Sequence, residues 1–73
     1  MSSFWQYNMK AEFAIYPYKG EDYLVCYSTV GNFRIHFVES VATGERQIPS
    51  AEQRAESPNS KELIVELIKN ILD

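Results

Sequence analysis

The chain has 73 residues, 45% of them hydrophobic, and a net charge of −3. That describes one small globular domain rather than a disordered chain, and its acidic balance argues against strong binding to a phosphate backbone. The single cysteine, Cys26, excludes an internal disulfide and reads as a small buried hydrophobe in a reducing compartment. No run approaches the roughly 20 apolar residues that span a bilayer. The opening M-S-S-F-W-Q-Y-N has neither the basic start nor the apolar run of a secretory signal, so the expected location is the cytoplasm.

The first pattern runs from Trp5 to Ile15. Odd positions are apolar or small (Trp5, Tyr7, Met9, Ala11, Phe13, Ile15), and even positions carry Gln6, Asn8, Lys10 and Glu12. This is the alternation of a half-buried strand. Lys19-Gly20-Glu21-Asp22 is a turn signal. Tyr23–Val30, Y-L-V-C-Y-S-T-V, follows as the central strand, rich in the β-branched and aromatic residues that fit a pleated surface. Gly31-Asn32 suggests a two-residue type II′ hairpin into a third strand, Asn32–Val38.

Each turn fixes a register. Centred on Lys19-Gly20, the first hairpin pairs Ile15 with Leu24, Phe13 with Cys26, Ala11 with Ser28 and Met9 with Val30. The second pairs Val30 with Phe33, Ser28 with Ile35, Cys26 with Phe37 and Leu24 with Glu39. Although placed independently, both bring Met9, Ala11, Phe13, Ile15, Leu24, Cys26, Val30, Phe33, Ile35 and Phe37 to one face, which is expected to be the core. Phe4–Asn8 then overhangs the hairpin, and either folds over the core or pairs with another chain.

Ala42-Thr43-Gly44-Glu45 reads as a further turn, and Arg46-Gln47-Ile48 as a short fourth strand with Ile48 beside the core, ended by Pro49. Ser50–Ser57 is a solvated connector in which Ser50 and Gln53 have the spacing of a capping box around one helical turn. The last helix opens at Ser57-Pro58, or one turn in at Asn59 with Glu62. Leu63, Ile64, Leu67, Ile68, Ile71 and Leu72 form its apolar stripe. The expected fold is α+β: an antiparallel three- to four-stranded β-meander with one C-terminal helix packed on one face (β-β-β-(β)-α). The layout is a single domain over 1–73, with sheet 4–48, connector 49–57 and helix 58–72.

The segment A-E-F-A-I-Y-P-Y-K-G-E-D-Y, Ala11–Tyr23, resembles the opening strand of ferredoxin-like thiamine-binding proteins. It covers about a fifth of the chain. That family places a helix directly after this strand, where this chain turns into Y-L-V-C-Y-S-T-V, so no residue is carried over.

One helix covers one side of a sheet, and the other side is left for water or a partner. The registers put Tyr16, Tyr23, Val25, Tyr27, Arg34, His36 and Val38 on the side expected to stay open, with Lys10 and Tyr18 nearby. Tyrosine and arginine are enriched at interfaces, so these seven residues are the expected partner-binding set. The expected function is a small non-enzymatic protein–protein interaction module or accessory subunit, possible partners including a second copy of the chain. The alternative is a single-stranded nucleic-acid-binding domain stacking bases on the same tyrosines beside Arg34 and Lys10, a layout shared with some small single-strand-binding coactivator domains. No catalytic motif stands out: Glu12, Tyr27 and His36 in one row read as cross-strand pairs rather than an acid–base relay. One histidine and one buried cysteine do not make a zinc site, and no cofactor is expected.

Overall fold

The computed structural model describes residues 11–31, 33–56 and 59–73. The elements are β1 (Ala11–Tyr18), β2 (Glu21–Ser28), β3 (Arg34–Ser40), β4 (Arg46–Gln47), α1 (Ala51–Glu56) and α2 (Ser60–Leu72). The four strands form an antiparallel sheet in the order β1-β2-β3-β4, so the β-meander with a C-terminal helix is the observed architecture. The Phe4–Asn8 overhang and the Ser57-Pro58 cap lie outside the described residues.

The β1–β2 register is the expected one throughout, from Ala11 opposite Ser28 to Tyr18 opposite Glu21. Its turn chemistry explains why. Lys19 and Gly20 both have positive φ, 51° and 84°, as a type I′ turn requires. The second hairpin follows the expected register only from Tyr23–Ser40 to Cys26–Phe37. Beyond that Tyr27 opposes Ile35 and Ser28 opposes Arg34, so His36 is an extra residue, a β-bulge in β3. β2 consequently ends at Ser28 and β3 begins only at Arg34, so the two strands are not joined by the expected two-residue hairpin.

The bulge decides which face the helix covers. Before it, Val38 shares a face with Val25; after it, Ile35 shares a face with Tyr27. Both faces are the same one, because the inserted His36 inverts the alternation between them. Tyr23, Val25, Ile35 and Val38 therefore meet Leu63, Ile64, Leu67, Ile68 and Ile71 of α2 in one buried cluster, with Tyr16, Tyr18 and Tyr27 packed against it. The expected inside and outside are reversed. Phe13, Ile15, Val30 and Phe33 are all more than half exposed, at 59%, 56%, 63% and 52%. Leu24 and Phe37 are half-buried. Met9 lies outside the described residues, and of the described sheet residues expected in the core only Cys26 and Ile35 are buried, Ile35 because the bulge turned it over. Correct registers say which side chains share a face, not which face is covered. Without the bulge the helix would cover a histidine; with it, the helix covers an isoleucine.

The other connections follow local chemistry. At the β3–β4 turn the Ser40 amide donates to the Glu45 carbonyl at 2.8 Å, and the Gly44 amide to the Ser40 carbonyl at 2.8 Å. Ser40, 5% exposed, is satisfied by accepting from the Thr43 amide at 3.1 Å through its hydroxyl. β4 is two residues long, and Ile48 beyond it is 67% exposed rather than part of the core. The Ser50–Gln53 capping box is reciprocal: the Gln53 amide donates to Ser50 Oγ at 3.1 Å and the Ser50 amide to Gln53 Oε1 at 2.9 Å. It starts a six-residue helix, α1, inside the expected connector. Asn59 caps α2, its Oδ1 accepting from the Glu62 amide at 2.9 Å. Among the described residues no helix is long and apolar enough to cross a membrane.

Leu67→Ala should cost about 2–5 kcal/mol, a large share of the roughly 4–11 kcal/mol that a chain of this length has in total. Phe13→Ser should cost less than about 1 kcal/mol, the scale of one cross-strand pair. Urea unfolding of both variants at low concentration measures this. Equal losses would mean that the Phe13 face is buried as deeply as the Leu67 face.

The uncovered sheet face as candidate functional site

On the side of the sheet away from α2, the odd residues of β1 lie beside Leu24 and Cys26 of β2 and Phe37 and Glu39 of β3. Phe13 and Ile15 project from β1, and Leu24 and Phe37 are partly covered by their neighbours. Arg46 closes the β4 side. Its Nε and Nη2 donate to Glu39 Oε1 at 3.0 and 2.8 Å, while its guanidinium lies 3.9 Å from the centre of the Phe37 ring. The cross-strand pairing of Glu39 with Arg46 places these groups together. The cation is thus neutralised and stacked at once, arrangements that each favour arginine over lysine. The result is a sheet face with aromatic and aliphatic side chains and one internally paired charge couple.

Cys26 sits in the middle of this face and is 4% exposed. Burial pushes its thiol pKa up, and the Arg46 charge only partly offsets this. A thiol so placed is protonated and inert at neutral pH. Among the described residues no three metal-ligating side chains converge.

Of the residues expected to bind a partner, only Arg34 shares this face, at its far end beside Ser28 and Ala11. Tyr23, Val25 and Val38 are fully inside the helix-covered core, and Tyr16 and Tyr27 are partly buried against it, so these five hold α2 to the sheet. The sequence presents tyrosines that look like an interface because rings with a polar tip suit the wet edge of a core equally well. Arg34 is exposed and opposes Ser28, close enough to Arg54 that its charge adds to burial in lowering the Arg54 pKa. His36 is the half-buried bulge residue and opposes neither Tyr27 nor Cys26. The Glu12–Tyr27–His36 row is therefore not assembled. What remains of it is a long hydrogen bond from Tyr27 Oη to Glu12 Oε1, 3.5 Å, with Thr29 Oγ1 donating to Oε2 at the same distance. Phe33, at the far end of the helix side, stacks at 5.5 Å on Tyr27.

In the sequence the open face is carried by Phe13, Ile15, Leu24 and Phe37, which look like core because this face is the more hydrophobic of the two. Cys26 should react slowly with a colorimetric thiol reagent at neutral pH, and its reaction should shift to more alkaline pH than that of an unfolded thiol. Urea should restore full reactivity. Fast reaction in the native state would mean that Phe13, Phe37 and Arg46 do not cover it. Compared with known protein families, with curated proteins and with solved structures, the chain matches none.

Proposed function

We propose that the protein is a small non-enzymatic protein–protein interaction module of the cytoplasm, acting as an accessory subunit or a homodimer, and that it docks through the uncovered sheet face. The observation that carries this reading is the exposure of Phe13 and Ile15, 59% and 56%, on a face whose one charge pair, Arg46 with Glu39, is already satisfied. Contiguous apolar surface of this kind marks interaction sites more often than solvated faces. Its chemistry suits an apolar protein surface: large side chains to bury, and no unpaired charge to desolvate among the described residues of its centre. The outer side of α2 is a poorer candidate, since Lys61, Glu62, Glu66 and Lys69 surround Val65 there with mixed charge.

No observation favours the nucleic-acid alternative. It needs tyrosines stacked in the open beside several cations, whereas Tyr23 is in the core, Tyr16 and Tyr27 pack against that core, and Arg46 is engaged by Glu39 and Phe37, which leaves the exposed Arg34 at the far end of the face.

Leu24 sits on the uncovered face in the second strand, away from the sheet edge, which makes Leu24→Lys the test. Amide chemical shifts followed as the protein is concentrated should move at Phe13, Ile15, Leu24 and Phe37. The substitution should weaken the association at least tenfold while helical circular dichroism is retained. Shifts confined to the outer side of α2, or an association that substitutions at neither Leu24 nor Phe13 weaken, would put the contact elsewhere. A gain in mass with a single-stranded oligonucleotide, lost as salt rises, would replace this reading with the nucleic-acid one.

A further inference from the structure

The uncovered face ends at β1, which is an edge strand: among the described residues no strand lies beyond it. In a hairpin closed by a two-residue turn the flanking residues, here Tyr18 and Glu21, exchange both hydrogen bonds, and bonded and non-bonded pairs alternate from there. The next pair, Pro17 with Asp22, is then non-bonded. Asp22 agrees, since its carbonyl accepts from the Val41 amide at 3.2 Å on the β3 side. Ile15, Phe13 and Ala11 have the same phase as Pro17 and aim their N–H and C=O groups away from the sheet. The same residues carry their side chains onto the uncovered face.

We propose that β1 is a self-pairing edge: two copies of the chain join β1 to β1, antiparallel, about a twofold axis at Phe13. Each copy contributes four strands, and the pairing makes one continuous sheet of eight. This inference rests on the interaction-module reading and names its partner and geometry.

Self-complementarity argues for a second copy. With Phe13 opposite Phe13 of the second copy, Ala11 opposes Ile15 of the second copy and the reverse, so all three outward-facing residues find partners of matching phase. Pro17, which has no N–H to offer, falls outside this stretch. Glu12 is the one charged side chain of β1, and it opposes Ala14 rather than its own counterpart. Each Glu12 is also engaged by Tyr27 and Thr29 of its own chain, drawing the carboxylate toward β2 and away from the axis. The usual defences of an edge, a lysine, a mid-strand proline or a bulge, are lacking between Ala11 and Tyr16. Pairing there also sets Phe13 and Ile15 of both copies side by side, extending the uncovered face across the axis.

The experiment is sedimentation of the full chain across a dilution series. Phe13→Pro removes an outward N–H without breaking the ladder to β2, as Pro17 already does. Phe13→Thr removes the ring and keeps both the N–H and strand propensity. The wild type should dimerise, Phe13→Pro should weaken the dimer at least a hundredfold, and Phe13→Thr by less than about tenfold. Circular dichroism checks that all three are folded. Phe13→Cys in a Cys26→Ser background should form an intermolecular disulfide in glutathione buffer, because bonded antiparallel pairs have Cα atoms about 5.5 Å apart, within disulfide reach. Glu21→Cys in the same background should not. A dimer that survives Phe13→Pro and is lost with Leu24→Lys would overturn edge pairing and leave the face as a docking surface. A wild type that is monomeric at every concentration and does not cross-link at position 13 would overturn self-pairing outright. Equal loss in Phe13→Pro and Phe13→Thr would assign the contact to the ring instead of the edge.

Discussion

The fold depends on one irregularity, the bulge at His36. A strictly alternating β3 cannot give this helix a good surface on either side. On the α2 side it would offer Val38, His36 and Arg34; on the other it would offer Phe37, Ile35 and Phe33 together with Glu39. The extra residue resolves the conflict by splicing two half-strands of opposite phase. Val38 and Ile35 then reach the same face three positions apart, and the histidine is left at the splice. A bulge costs ladder bonding and bends its strand. That cost is offset by putting an isoleucine, 2% exposed, where regular geometry would bury an imidazole and its unmet hydrogen bonds.

With that surface in place the helix is determined by ordinary means. Leu63, Ile64, Leu67, Ile68 and Ile71 recur at helical spacing and meet Tyr23, Val25, Ile35 and Val38. Leu72, the last member of the stripe, is 59% exposed, as the last turn of a helix often is. Asn59 and the Ser50–Gln53 box then set where each helix begins. Tyr16, Tyr18 and Tyr27 ring the core, their hydroxyls able to reach water while the rings pack. In a small chain, which has little interior to spend on wholly buried side chains, tyrosine serves as wall material.

Much of this was legible in the sequence, and the part that was not has a definite cause. The strands, the β1–β2 register, the capping box and the helical stripe all follow from local chemistry, such as turn residues, alternation and caps, which acts within a few residues. The choice of face does not. Phe13, Ile15, Leu24, Cys26 and Phe37 outrank Tyr23, Val25, Tyr27 and Val38 in hydrophobicity, and a reading based on hydrophobicity places them inside. Packing against α2 rewards instead the set that the bulge completes, and nothing in R-I-H-F-V announces a bulge. The candidate site is hidden with the face, because the hydrophobicity that suits Phe13 and Ile15 to a contact is the same property that marks a core residue.

The open face and the open edge are tied together by turn length. In β1 side-chain direction and backbone direction both alternate with period two, and the Lys19-Gly20 turn fixes their relative phase. The phase it sets makes Phe13 and Ile15 carry apolar side chains away from α2 and, in the same residues, free backbone groups away from β2. A strand with the opposite phase would offer the N–H groups of Glu12, Ala14 and Tyr16 at its edge, and the two surfaces would recruit different contacts. Here one short segment supplies both hydrogen-bonding groups and hydrophobic area, which is the combination strand addition uses for affinity and specificity together. Pro17 limits that segment at one end, since any pairing that slid across it would forfeit a hydrogen bond.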